Sequence, residues 1–147
     1  MDPAPGARSV FPPAVTALPT HVAAVAAVIV REGRVLAMRR AAHKPGAGLW
    51  ETLSGRLEPG EAPLDAVARE IREESGLEVV VDPRPVDSYA GRRGDAPMIV
   101  VVYRARWVAG EVRRSDEHDD HAWWTPEEFR ERSSLTRLAD AVDRALE

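Results

Sequence analysis

The hydrophobic positions fall into short runs punctuated by Gly, Pro and charge. Val22–Val30 is an unbroken run of Val, Ala and Ile between His21 and Arg31, and a second run, Val35–Arg40, follows directly. Together they predict a β-hairpin turning at Glu32-Gly33. Residues 41–48 (AAHKPGAG) read as a loop by their Pro and Gly content. Trp50–Ser54 predicts a short strand that continues through Arg56 toward a Pro59-Gly60 turn. Leu77–Val81, Pro85–Ala90, Met98–Val108 and His121–Thr125 predict further strands, with Gly91–Asp95 as the turn between Pro85–Ala90 and Met98–Val108. The period changes to that of a helix over about Ala62–Ser75. Pro63 suits its first turn, Glu61 and Asp65 place negative charge at the positive end of its dipole, and Gly76 stops it. Thr125-Pro126-Glu127-Glu128 starts another helix. The last, about Ser134–Leu146, carries Leu135, Leu138, Ala139, Val142 and Leu146 on one face. Strands interleaved with one strong central helix and a C-terminal helix predict an α/β sandwich with a mixed sheet. Residues 1–19 hold five of the twelve prolines and read as an extended or disordered arm, leaving residues 20–147 as the domain.

Composition narrows the chemistry. A length of 147 residues suits one domain. The absence of cysteine excludes disulfides, iron–sulfur clusters, thiolate zinc sites and a cysteine nucleophile. His21, His43, His118 and His121 are too scattered to build a metal site between them, and His118 reads as a surface residue. Val22–Val30 is half the length of a bilayer-spanning helix and no cleavage signature follows it, so the expectation is a cytoplasmic protein without membrane contact. Of the 20 basic residues only Lys44 is lysine, which reads as a codon bias toward arginine. The formal charge of −4 argues against general nucleic-acid binding, which needs a broad electropositive face.

The acids are unevenly placed. Eight of the 24 lie between Glu58 and Asp82, and four more between Asp116 and Asp120. On a wheel of about 100° per residue, Leu64, Val67, Ala68 and Ile71 form a core face, and Glu70, Glu73 and Glu74 share an adjoining arc. Like charges at such spacings repel and weaken a helix. The triplet alone is compatible with a solvated acidic face partly neutralised by Arg69 and Arg72, or with an all-oxygen seat for a hard divalent cation such as Mg²⁺.

The segment in front of this helix adds to that choice. Gly55, then Glu61, then Arg69-Glu70-Ile71-Arg72-Glu73-Glu74-Ser75-Gly76-Leu77 occupies every fixed position of the Nudix box, and the chain resembles the Nudix hydrolase family over about residues 20–146. Arg39-Arg40 closing a hairpin, Trp50 before the box, and the acidic loop followed by Trp124-Thr125-Pro126-Glu127-Glu128 extend the resemblance. Where many relatives carry Pro-Gly-Gly at the start of the box, this chain has Leu53-Ser54-Gly55. The resemblance implies a Nudix-type α/β/α sandwich with a mixed β-sheet. It also implies Mg²⁺-dependent hydrolysis of a diphosphate linkage in a nucleoside diphosphate-X or nucleoside triphosphate, with Mn²⁺ as a substitute ion. Carried onto this chain, it implies metal ligation by Glu70, Glu73, Glu74 and the Ser54 carbonyl. Glu70 orients or deprotonates the attacking water, Arg69 braces the carboxylates, and Glu61 ties the loop to the helix. Gly55 and Gly76 serve backbone geometry. Some proteins of this fold bind nucleotides without turnover, but degraded boxes mark that class and this box is intact.

Beyond the box, the family resemblance implies one more carboxylate, acting as ligand or base. Glu117 is the first candidate, followed by Asp116 or Asp119. Arg39 or Arg40 is a candidate phosphate contact, since a guanidinium fork matches phosphate oxygens. Strand alternation points the two to opposite faces. Trp50 is a candidate base-stacking residue, with core burial as the alternative, and Trp123 and Trp124 pose the same choice. Arg92 and Arg93 read as a solvated turn tip. The partner expected is a small nucleotide or nucleotide-like diphosphate, and family habit together with the arm favours a homodimer.

Overall fold

The structure, a computed structural model, describes residues 18–147. The expected arm therefore lies, but for its last residues, outside the described part of the chain. Eleven elements follow in order: β1 (Val22–Arg31), β2 (Arg34–Arg40), β3 (Trp50–Glu51), β4 (Leu53–Arg56), α1 (Pro63–Ser75), β5 (Glu78–Val81), β6 (Asp87–Arg93), β7 (Ala96–Ala109), β8 (His118–Trp124), α2 (Pro126–Arg132) and α3 (Thr136–Ala145).

The apolar run of β1 is continuous because both of its faces are covered. Ala24, Ala26, Val28 and Val30 point to one layer, with Phe129 of α2 and Leu138, Ala139 and Val142 of α3. Val25, Ala27 and Ile29 point to the other, with Ala66, Val67 and Ile71 of α1. The result is an α/β/α sandwich about a mixed sheet. β1 runs parallel to β7 from Val22↔Met98 to Val30↔Arg106. On its other side it changes partner, pairing with β4 over Ala24–Ala27 and with β2 at Val30 and Arg31. β7 divides in the same way between β6 and β5. The split beside β1 lets β4 diverge from the hairpin and present Ser54 and Gly55 toward α1.

Several expectations shift. β6 runs on to Arg93, so the turn shrinks to Gly94-Asp95. β8 begins at His118 rather than His121, because a register irregularity between Arg39 and Arg40 lets the polar residues 118–120 join the ladder. The core face of α1 is also rotated from the wheel reading. Leu64 is exposed and Ala68 only half-buried, whereas Ala66, Val67, Glu70, Ile71 and Glu74 turn inward. The helix ends where Gly76, at φ 68°, adopts the left-handed conformation that lets its N–H reach the Arg72 carbonyl. Among the described residues no helix is long and apolar enough to cross a membrane.

Candidate active site

The loop between β4 and α1 is tied to the helix by one arginine. Arg69 Nε donates to Glu61 Oε2 (2.8 Å) and Nη2 to Glu61 Oε1 (2.9 Å), while Nη2 also reaches the Arg56 carbonyl (3.1 Å). Nη1 donates to Glu70 (2.8 Å) and to Glu73 (3.3 Å). Glu61 also accepts from the Glu58 N–H at 3.0 Å. These bonds, that from Arg69 first, hold the Glu61 carboxyl down at about 2, and the same pairing raises the Arg69 guanidinium above its ordinary range. Arg69 is therefore a permanent cation hydrogen-bonded to three acids, Glu61, Glu70 and Glu73.

Behind it lies a second acidic group with less compensation. Glu70 and Glu74 are both buried, at 9% and 3% exposure. The Glu74 carboxyl lies within hydrogen-bonding reach of those of Glu117 and Glu70, and its Oε2 is buried with no partner among the described residues. Desolvation raises Glu74 far above the usual carboxylate range, and raises Glu70 as well despite Arg69, whereas the bond from Glu74 lowers Glu117. Gly55 makes the inward turn of Glu70 possible. A Cβ on that residue would collide with the Glu70 carboxylate. Glu73 instead stays half-exposed beside Arg69. Among the described residues no three acidic or histidine side chains converge on one point as a finished cation cage. The donor set nonetheless suits a hard divalent ion: all oxygen, crowded, and with a buried carboxylate oxygen left unpartnered.

Glu117 comes from the segment just before β8. Its carbonyl accepts from the Ala41 N–H (2.9 Å), and Lys44 Nζ lies 3.9 Å from its carboxylate. The other two candidates go elsewhere, Asp116 to solvent and Asp119 to a 2.7 Å bond from Arg39 Nε. Arg39 is thus committed to Asp119 and lies away from the cleft. Arg40 is on the cleft wall, but its Nε donates to the Pro45 carbonyl (2.7 Å) and its Nη1 to Glu51 (3.1 Å). Trp50 is not a cleft residue. Its ring centroid is 4.5 Å from that of Trp124 and, partly buried, it packs against the core. Trp123 packs against the other core layer.

The cleft has a volume of about 1130 Å³. Ser54, Gly55, Glu70 and Glu117 mark one part of its wall, and Tyr89, Met98, Val100, Leu135 and Leu138 supply apolar surface. Arg92 and Arg93, expected at a solvated turn, line it too, because they extend β6. Glu51 and Thr52 escaped the sequence reading, and that of His118 needs correcting. His118 is 4% exposed rather than on the surface. Its burial has no local signal in a polar run, since it depends on Glu51, far away in sequence.

The sequence profile of the NUDIX domain matches residues 19–145. The chain belongs to the NUDIX family. It is 40% identical over 138 residues to a MutT-like protein of Streptomyces ambofaciens, covering 91% of this chain and 85% of that protein. It is 33% identical over 107 residues to the CTP pyrophosphohydrolase of Escherichia coli strain K12, covering 71% and 76%. The crystal structure of a MutT protein from Methanosarcina mazei superposes with a TM-score of 0.76 at 26% identity, over 85% of this chain and 92% of that one. This Nudix protein, its box intact, is a pyrophosphohydrolase, and its sandwich is the fold of those neighbours.

Proposed function

We propose that this Nudix pyrophosphohydrolase cleaves the diphosphate linkage of a nucleoside triphosphate, or of a related nucleoside diphosphate-X, with Mg²⁺ held by Glu70, Glu73, Glu74, Glu117 and the Ser54 carbonyl. The observation that carries this reading is the buried Glu74 carboxyl group, crowded by Glu70 and Glu117 with one oxygen unpartnered among the described residues. Ionising such a cluster is costly in the bare protein and becomes favourable once a divalent cation neutralises it.

Bound there, Mg²⁺ would neutralise phosphate oxygens and acidify a water. The protein's own residues do the rest. Glu70 orients the attacking water and takes its proton at a carboxylate oxygen. The water oxygen bonds to phosphorus as the bridging P–O bond breaks, and the leaving phosphate keeps the bond's electron pair. Arg69 holds Glu70 and Glu73 at fixed spacing, so little reorganisation is needed at the moment of reaction. No covalent intermediate is required, which fits a chain without cysteine. Arg56, Arg92 and Arg93 on the cleft wall offer cations to a polyanion, and Tyr89, Met98 and Leu135 offer apolar surface to a nucleoside. A triphosphate substrate accords with the naming of the E. coli relative.

Incubation with a panel of nucleotides and nucleotide sugars, in Mg²⁺, Mn²⁺ or EDTA, read by mass spectrometry, tests this reading. The expected result is metal-dependent cleavage of at least one nucleoside triphosphate or diphosphate-X. Cleavage of none across the panel would favour a nucleotide-binding module instead.

A further inference from the structure

We propose that His118 is a positioning residue: held by the Glu51–Arg40 ion pair, it keeps the Glu117 carboxylate against Glu74. This rests on the catalytic reading above and extends it to residues outside the box.

Glu117 immediately precedes β8, an edge strand that among the described residues pairs only with β2. The start of that strand is weakly specified. Arg39 pairs with Asp120 and Arg40 with His118, leaving Asp119 as the extra residue of a bulge. Slippage there would carry Glu117 away from the cleft. Arg39 Nε holds the bulged Asp119 at 2.7 Å, and two further contacts fix the residues before it. The Ala41 N–H donates to the Glu117 carbonyl at 2.9 Å, and the next side chain, His118, is driven into the interior.

Its ring is held by polar contact rather than by packing alone. His118 Nε2 lies 3.0 Å from Glu51 Oε2, and a carboxylate oxygen accepts, so this bond calls for the tautomer with its proton on Nε2. The same oxygen accepts from Arg40 Nη1 at 3.1 Å, and Arg40 Nε bonds the Pro45 carbonyl at 2.7 Å. The loop after β2, strand β3 and the first residue of β8 are thereby joined at one carboxylate oxygen. His118 Nδ1 is buried without a partner among the described residues. An orphaned ring nitrogen is a cost that an apolar side chain of similar volume would avoid. The imidazole thus does something that volume alone does not, and the bond to Glu51 is its one polar tether.

The test is a double-mutant cycle between His118→Leu and Glu117→Gln, with His118→Gln as the conservative variant, since its amide can still donate to Glu51. His118→Leu is expected to lower kcat about tenfold to hundredfold with KM within about threefold, the range usual for residues that orient metal ligands. His118→Gln is expected to recover most of that loss. In the Glu117→Gln background, His118→Leu is expected to cost nothing further, because both changes act through one carboxylate. Full additivity, or equal loss in His118→Gln and His118→Leu, would overturn the proposal. Should His118→Leu fail to fold, Glu51→Gln takes its place in the cycle under the same criteria. Mn²⁺ affinity, measured by electron paramagnetic resonance on the same variants, is a readout independent of turnover. If the wild type cleaves no nucleotide, the catalytic reading fails, while coupling of the two sites in Mn²⁺ affinity still decides the role of His118.

Discussion

Gly55 and Glu70 show how a single missing atom shapes this site. The carboxylate occupies space that any Cβ at position 55 would take, which is how an acid enters the face of α1 that also carries Val67 and Ile71. The glycine is needed here for close approach, not for an unusual backbone angle. Gly55→Ala is expected to cost about 1–3 kcal/mol of stability through overpacking and to reduce hydrolysis at least about tenfold by displacing Glu70. Urea denaturation and initial rates check the two effects separately. Wild-type turnover in that variant would show that the placement of Glu70 does not matter.

At the scale of elements, the joint between β4 and α1 depends on ionised Glu61. Its carboxyl is lowered from 4.5 to about 2, chiefly by the bond from Arg69. A carboxylate depressed on folding adds stability that is complete above its unfolded value, and that is lost as pH falls from about 4.5 toward 2. Glu61→Gln is therefore expected to be less stable than wild type at pH 6, with the difference shrinking as both are acidified through that window. Thermal melts from pH 6 to pH 2.5 measure this, and a gap that widens on acidification would reverse the assignment. The ends of α1 were legible because Pro63 and Gly76 act locally, and the continuous apolar run of β1 marked a strand, though not that both of its faces are covered. The rotation of α1 was not legible. A helical wheel assumes that acids face water, whereas Glu70 and Glu74 are turned in against the Gly55 cradle and Glu117. The early start of β8 was hidden for a similar reason: a bulge that recruits His118-Asp119-Asp120 leaves no hydrophobic alternation to read. Arg92 and Arg93 were lost to a turn because Gly91 suggested a break that β7 bridges through its pairing with Met98. Glu117 was the first candidate from the sequence, and what only the structure could add is that Asp119 turns to Arg39 and Asp116 to solvent.

Across the whole molecule, the mild net charge of −4 conceals a division of labour. Acids gather where α1, β4 and the segment before β8 meet, while Arg40, Lys44, Arg56, Arg92 and Arg93 line the same cleft. Bare, the acidic part repels a polyphosphate; with a divalent cation it attracts one. The central claim is that this seat, built on buried Glu74, binds the cation that makes hydrolysis possible. The most direct measurement compares wild type with Glu74→Gln, following nucleotide hydrolysis and melting temperature together in Mg²⁺ and in EDTA. The account predicts that Glu74→Gln folds and melts close to wild type in EDTA, because burial already favours the protonated Glu74 carboxyl there and the amide replaces it at similar size. It also predicts that the variant gains less from Mg²⁺ and loses about two to four orders of magnitude in turnover. Wild-type turnover in Glu74→Gln, or wild-type hydrolysis undiminished in EDTA, would contradict it.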